Sequence, residues 1–382
     1  MKCIAFTHLS PEITEYKLPL ILRKRKLKTI LFSILKLDKE FYSEAFDEIN
    51  CLYLENLKIQ TILKNFIKDP ANFTKFFYRL FKVKADVLVS ECPPYHLGVL
   101  FMSIFRKRSL LVYFPYDMYI TRISKDVVGF SKIKAWWEKK CFKICEAIMH
   151  KGPNEELDLV PANYGIKNKP KLRFELYPME ELFINYKKGN KLSLKTKEIH
   201  LVHIGSYKKG DALYASMNPV LRNVLKQKLH VHLYLRPNFF TDRELNEITD
   251  SGKLKKYLHV HNYVKPKELA LEASKYDFGL ILSTPSENAN KNIMKFAASN
   301  QPIVFLEAQL PSIVLSKKTE FINKSIDENY LGFSIKDTTN LKKEILKFDY
   351  EKSLDNIRDY REKNSMENNI DKFIEFMDKL II

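Results

Sequence analysis

The sequence predicts an α/β protein built from two successive doubly wound parallel sheets. Three observations carry this expectation. At 382 residues the chain is long for a single core. Short β-branched or apolar runs alternate with helical patterns along nearly its whole length, the signature of parallel strands joined by crossover helices. The alternation pauses once, at residues 185–197 (NYKKGNKLSLKTK), which are polar, basic and without apolar periodicity. We therefore expect a first Rossmann-like domain over 1–184, a linker over 185–197, a second Rossmann-like domain over 198–364 and a closing helix over 365–382.

In the first half the expected strands are Cys3–Thr7, Lys28–Ile34, Cys51–Leu54, Val87–Ser90, Leu110–Phe114 and Ala147–His150, with Arg173–Leu176 near its end. Helices such as Pro94–Phe105 and Ser131–Cys145 separate them. The segment Pro70–Lys84 (PANFTKFFYRLFK and two further residues) sets Phe73, Phe76, Phe77, Leu80 and Phe81 on one helical stripe and Lys75, Arg79 and Lys82 on another. Such a helix either lies in a membrane interface, with Phe76, Phe77 and Arg79 on an acceptor or membrane side, or packs its Phe stripe on the sheet. In the second half the expected strands are His200–Ile204, His230–Leu235, Leu258–Val260, Phe278–Leu282, Ile303–Leu306 and Leu331–Ile335. Met366–Ile382 has apolar residues at helical spacing (Ile370, Phe373, Phe376, Met377, Leu380) and should form an amphipathic helix.

Composition narrows the class. Hydrophobic content of 45% and charged content of 29% fit a soluble globular protein. No run of about 18 apolar residues exists, so no transmembrane helix is expected, and the first residues do not read as a signal peptide. Five scattered cysteines without a disulfide pattern point to a reducing cytoplasm. Cys141 and Cys145 lie one helical turn apart with no second pair at zinc spacing, and the histidine pairs 200/203, 230/232 and 259/261 fall in strand-like runs, so no metal site is expected. The net charge is +18, and residues 1–190 hold 33 Lys and Arg against 21 Asp and Glu. An anionic partner follows: phosphorylated small molecules or an anionic membrane face. Nucleic acid ranks low, because no zinc module, RNA-recognition motif or helix-turn-helix is visible.

Two loops could carry chemistry in the second half. After the strand His200–Ile204 comes Gly205-Ser206-Tyr207-Lys208-Lys209-Gly210, where glycines let backbone approach a phosphate and cations offset its charge. After Phe278–Leu282 comes a polar loop containing Glu287 and Asn288, then a helical segment bearing Lys295, in the stretch DFGLILSTPSENANKNIMKFAASNQPIVFLE. In the first half, loops at strand ends hold His96 and the pair Tyr116-Asp117. A histidine or a loop carboxylate there could act as general base.

Together these features resemble the GT-B fold of nucleotide-sugar glycosyltransferases, most of all glycosyltransferase family four, whose two Rossmann-like domains face a cleft. The resemblance covers most of the chain in strand order and is best in the second domain. It implies that Gly205, Lys209 and Gly210 hold the donor diphosphate, with Ser206 at a position usually arginine and Lys208 as a possible substitute. It implies that Glu287 contacts the donor sugar. Lys295 stands where the family places a ribose-binding glutamate, and ammonium donates where carboxylate accepts. Of the family's His-Asp pair only Asp117 is matched. The implied activity is metal-independent, retaining transfer from a nucleotide-sugar substrate to a glycan or lipid-linked acceptor, without a cofactor, from a cytoplasmic or peripheral membrane position. The departures at Ser206, Tyr116 and Lys295 leave open a non-catalytic partner subunit of the same fold.

Overall fold

The computed structural model describes residues 1–7, 16–56, 58–91, 95–115, 118–123, 131–175, 177–210, 214–235, 239–282, 284, 286, 291–315 and 319–381. The chain divides into two units. One holds Met1–Arg122, Ser131–Leu176 and Met366–Ile382; the other holds Ile123–Phe130 and Tyr177–Ser365.

The first unit is built on a seven-stranded sheet of order β3-β2-β1-β4-β5-β6-β7. Its strands are β1 (Cys3–Thr7), β2 (Lys28–Leu35), β3 (Glu48–Leu54), β4 (Val87–Glu91), β5 (Leu110–Phe114), β6 (Ala147–His150) and β7 (Lys171–Arg173). All neighbours pair in parallel. Every residue of β4 is buried, as a central parallel strand covered on both faces requires. The second unit has a six-stranded sheet of order β10-β9-β8-β11-β12-β13. Its strands are β8 (His200–Ile204), β9 (His230–Tyr234), β10 (Leu258–His261), β11 (Phe278–Leu282), β12 (Ser312–Leu315) and β13 (Gly332–Ile335), again all parallel.

One expected strand is a helix. Ile303–Leu306 lies inside the helix Gln301–Glu307, which starts with Pro302 in its first turn, and the next strand is β12. The helix is buried along Val304, Phe305, Leu306 and Glu307. A buried helix is apolar on nearly all sides, so its sequence carries no helical stripe. Its seat is specific. The Phe305 ring, wholly buried, occupies the space that a side chain on Gly279 of β11 would need.

The polar stretch 185–197 is docked on the second unit. Lys191, 4% exposed, donates to the carbonyl of Tyr276 (2.5 Å), and Ser193 donates to Asp277 Oδ1 (2.6 Å). Arg361 fastens the preceding residues, donating to the carbonyls of Ile184 (2.9 Å) and Glu307 (3.2 Å) with its guanidinium over the Phe183 ring. The helix Met366–Ile381 returns to the first unit, where Phe373 meets Phe174 and Asp378 pairs with the N-terminal amine (2.8 Å).

The β8–β9–β10 edge carries a histidine ladder. Strand register brings His200, His230, His232, His259 and His261 together. Thr196 Oγ1 lies 2.8 Å from His200 Nε2; His200 Nδ1 lies 2.9 Å from His232 Nε2; His232 Nδ1 lies 2.9 Å from His261 Nε2. Beside this chain, Glu198 accepts from His230 Nε2 at 2.6 Å, and His230 Nδ1 lies 2.9 Å from His259 Nε2. A neutral imidazole has one donor and one acceptor nitrogen, which a head-to-tail chain uses fully. Burial and the neighbouring rings push His200 down to about 4 and His232 to about 2, so these two rings are neutral at pH 7.

Candidate functional site at the carboxyl ends of the second sheet

In a doubly wound sheet, successive connections run to opposite sides from one strand pair. The loops leaving that pair diverge and open a crevice at the carboxyl ends of the strands. In the second unit this pair is β8 and β11. The buried His203 ring links them, its Nδ1–H donating to Leu280 O at 2.9 Å. Burial lowers the pKa of His203, which suits a neutral ring.

The loop after β8 is shaped for close backbone approach. Gly205 and Gly210 have φ of 112° and 113°, a region that other residues rarely enter. A side chain on Gly205 would also meet Gln301 Nε2 at 3.4 Å. Gln301 donates to the carbonyl of Ile204 and so pins the start of its helix to the end of β8. The loop closes on itself through Met217 N to Lys208 O (2.9 Å), and the buried Tyr207 hydroxyl donates to Asn218 Oδ1 (2.9 Å). Two bonds tie it to the loop after β11: Ala215 N to Thr284 O and Thr284 Oγ1 to Ala215 O, both 2.8 Å. The glycine turn and the β11 loop are thus joined at the divergence point.

The two lysines of the turn go opposite ways. Lys209 leans toward the β9 side. Its Nζ donates to Phe239 O (2.6 Å) and Glu244 Oε2 (2.8 Å) and lies 4.6 Å from the centre of the Phe239 ring. Glu244 also closes the capping box of the helix Asp242–Ile248 with Thr241. The ammonium and the Thr241 N–H hold its carboxylate down at about 2. Lys208, half-buried, stays on the loop that reaches β11, its Nζ 4.8 Å from the centre of the Tyr214 ring. The sequence assigns the diphosphate first to Lys209; the geometry gives Lys209 a structural partner, Glu244, and sets Lys208 over Tyr214, the neighbour of Ala215. Ser206 is exposed in the same turn. Lys295 ends a one-turn helix, Lys291–Lys295, exposed and 5.4 Å from the centre of the Phe296 ring. Glu287 and Asn288 lie outside the described residues.

The first unit has its own divergence point, between β1 and β4, where Thr7 Oγ1 donates to Ser90 Oγ at 3.2 Å. His96 is exposed in the first turn of the helix Tyr95–Phe105, which follows β4, and its ring lies 6.2 Å from Trp137. Tyr116 and Asp117 lie outside the described residues. Just after them, the short helix Tyr119–Arg122 is held by two buried glutamates. Glu138 accepts from Tyr119 N (2.6 Å), Ile120 N (3.0 Å) and the Tyr164 hydroxyl (2.5 Å); Glu156 accepts from Arg122 Nε (2.8 Å) and the Thr121 hydroxyl (2.8 Å). Burial lifts Glu138 to about 7. This buried frame was not foreseen from the sequence, because its members lie 18 to 35 positions apart.

The Phe stripe of Pro70–Lys82 mostly packs inward. Phe73, Phe76 and Leu80 are buried, Phe77 is half-buried, and Arg79 donates to Asn50 Oδ1 (2.9 Å). Phe76 is therefore inside the first unit, while Arg79 is exposed and holds Asn50. Among the described residues, no group of three or more His, Cys, Asp and Glu side chains is placed to hold a metal ion, and no helix is long and apolar enough to cross a membrane.

Comparison with known proteins agrees with this architecture. No curated protein matches the sequence. Residues 225–375 match the model of the glucosyltransferase 3-like, C-terminal domain. Among solved structures, sucrose-phosphate synthase from Thermosynechococcus elongatus is similar at a TM-score of 0.71 and 11% identity, over 100% of this chain and 99% of that one. A glycosyltransferase from Rickettsia africae is similar at 0.63 and 14%, over 100% and 98%. MnaA from S. aureus, solved with UDP, is similar at 0.58 and 11%, over 100% and 97%. The chain has the GT-B fold, and its second unit carries a domain similar to the C-terminal domain of glucosyltransferase 3-like proteins.

Proposed function

We propose that this protein is a glycosyltransferase that moves a sugar from a nucleotide-sugar donor to a glycan or glycolipid acceptor. One observation supports it above the rest: a glycine turn with positive φ at Gly205 and Gly210 lies at the β8/β11 divergence, tied to the β11 loop through Ala215 and Thr284. That is where an open α/β sheet binds a nucleotide, and MnaA, of similar fold, was solved with UDP. The donor diphosphate approaches the backbone at Gly205, and Lys208 supplies the cation that offsets charge building on the leaving group. As the bond from the anomeric carbon to the diphosphate oxygen breaks, the acceptor hydroxyl bonds that carbon from the same face and its proton passes to the departing diphosphate oxygen. Asp117, or instead His96, is the loop group we assign to orient that hydroxyl. The proposed transfer retains configuration, uses no bound metal or cofactor, and takes place in the cytoplasm, where the free Cys3, Cys51, Cys141 and Cys145 stay reduced.

The test is a binding panel of UDP-, GDP-, CMP- and dTDP-sugars read by thermal shift and calorimetry, with wild type, Gly205→Val and Lys208→Ala. One nucleotide should bind wild type. Gly205→Val should abolish that binding, and Lys208→Ala should weaken it about 10-fold or more, the scale of one charge-assisted contact. Equal binding by Lys208→Ala would remove Lys208 from the assignment. The placement of Lys209 against Glu244 favours a second reading, a partner subunit that keeps the fold without the chemistry. Binding without transfer, or no binding by any nucleotide, selects it.

A further inference from the structure

The first unit carries an apolar and basic surface that the transferase reading leaves unused. Four helices form one layer along its sheet. Ile59–Lys68 packs beside Pro70–Lys82, Pro70–Lys82 beside Tyr95–Phe105, and Tyr95–Phe105 beside Lys132–Ile144. Their inner faces are well buried by Phe73, Phe76, Leu80, Phe101, Phe105 and Phe142. Their outer faces are not those of an ordinary solvated layer. Ile67 is 79% exposed, Ile133 70% and Trp136 49%, and Leu63, Phe66 and Phe81 are exposed as well. Large apolar side chains so open in four adjacent helices mark a contact surface.

Charge decides what covers it. The four helices hold ten basic residues and a single acid. That acid, Glu138, is buried and occupied by backbone N–H groups and Tyr164. The basic side chains Lys64, Lys68, Lys75, Lys82, Lys132 and Lys134 are all exposed among the apolar ones. Lys140 lies 5.1 Å from the centre of the Trp136 ring and Lys82 lies 5.8 Å from that of Tyr78. An outer face of Ile, Leu, Phe and Trp with lysines, and within the four helices no exposed acid beyond the capping Asp69 at their first junction, matches a bilayer surface: apolar groups enter the headgroup boundary, Trp sits at its level, and lysines meet anionic lipid. A glycan would not cover Ile67 and Ile133.

We propose that this helical layer docks the first unit on an anionic lipid surface. The surface differs from the one the sequence suggested, because Phe73, Phe76 and Leu80 of the Pro70–Lys82 stripe are turned to the sheet; Phe81 of that stripe stays exposed, and the neighbouring helices add Leu63, Phe66, Ile67, Ile133 and Trp136. The proposal stands independently of sugar transfer and is read without it.

The chain supplies its own reporter. Its two tryptophans, Trp136 and Trp137, both lie in this layer. Full-length protein is titrated with phosphatidylcholine vesicles, and with the same vesicles containing about 30% phosphatidylglycerol. Anionic vesicles should shift tryptophan emission to the blue, and brominated lipid should quench it, with partitioning about 10-fold or more above pure phosphatidylcholine. The doubly substituted Ile133→Ser/Trp136→Ser and Leu63→Ser/Ile67→Ser proteins alter only exposed residues. Their melting should match wild type while partitioning falls about 10-fold in each. No blue shift with anionic vesicles overturns the proposal. So does undiminished partitioning of both variants, which would place any contact elsewhere, or lipid-independent self-association that these substitutions abolish, which would make the occupant a second copy.

Discussion

Acidification from about pH 7.5 to about pH 5 should destabilise the second unit by about 4 kcal/mol, because two buried histidines of its ladder, His200 and His232, are held neutral. His200 and His232 are 3% and 4% exposed. Groups around them come from every element of the edge: Glu198 and Thr196 before β8, Lys256 and Tyr257 before β10, Tyr234 on β9, and Glu272, Lys275 and Tyr276 from the segment leading to β11. The folded-state values are depressed, so above the ordinary histidine value of about 6.5 both states are neutral and nothing is gained or lost. Below it the unfolded chain takes up protons that the native ladder refuses, and stability falls until the native rings titrate, near about 4 for His200. At pH 5 a histidine neutral only in the native state costs about 2 kcal/mol, and two cost about 4. For a unit of this size that lowers the melting temperature by about 10 °C. The first unit is better balanced. Its buried His150 is depressed to about 4, but Glu138 is raised to about 7, and protonating a raised carboxyl relieves the cost of burying its charge as pH falls. Hydrogen exchange followed by mass spectrometry, corrected for intrinsic rates, should show β8–β10 peptides losing protection before those of β1, β4 and β5. His232→Gln should shrink the pH-dependent loss by about 2 kcal/mol. Unchanged protection of β8–β10 at pH 5, or earlier opening of the first unit, would refute the argument.

Two further substitutions follow from packing. Gly279→Ala places a methyl group where the buried Phe305 ring sits; chemical denaturation should show a loss of about 1–3 kcal/mol, and Phe305→Leu in the same chain should recover part of it. Glu138→Ala leaves two backbone N–H groups and the Tyr164 hydroxyl without their acceptor. A loss of about 3 kcal/mol is expected by the same measurement, with Glu138→Gln less damaging because one oxygen remains.

The fold was legible because central parallel strands are short apolar runs, and β1, β5, β6, β8 and β11 have the bounds their runs suggest. Ile303–Leu306 misled for a physical reason. A buried helix and a buried strand bury the same residues, and only Pro302 in a first turn distinguished them. The glycine turn was legible as a turn, since Gly205 and Gly210 take the positive φ that their residue type permits. The destination of each lysine was not: Lys209 and Glu244 are 35 positions apart, and their pairing depends on the β9 connection lying beside the β8 loop. The alternating histidines of β9 and β10 indicated strands, but the hydrogen-bonded ladder requires the register of three strands. The helical stripe of Pro70–Lys82 was visible, whereas the face it buries depends on its neighbours.

We propose that the β8/β11 divergence of the second unit binds a nucleotide diphosphate. Hydrogen exchange of the full chain with and without the tightest-binding nucleotide of the panel tests it directly. Protection should concentrate in the segments after β8 and β11, around Gly205–Gly210 and Thr284, and disappear in Gly205→Val. Protection confined to the β10 or β13 edge, or no nucleotide-dependent protection at all, would contradict it.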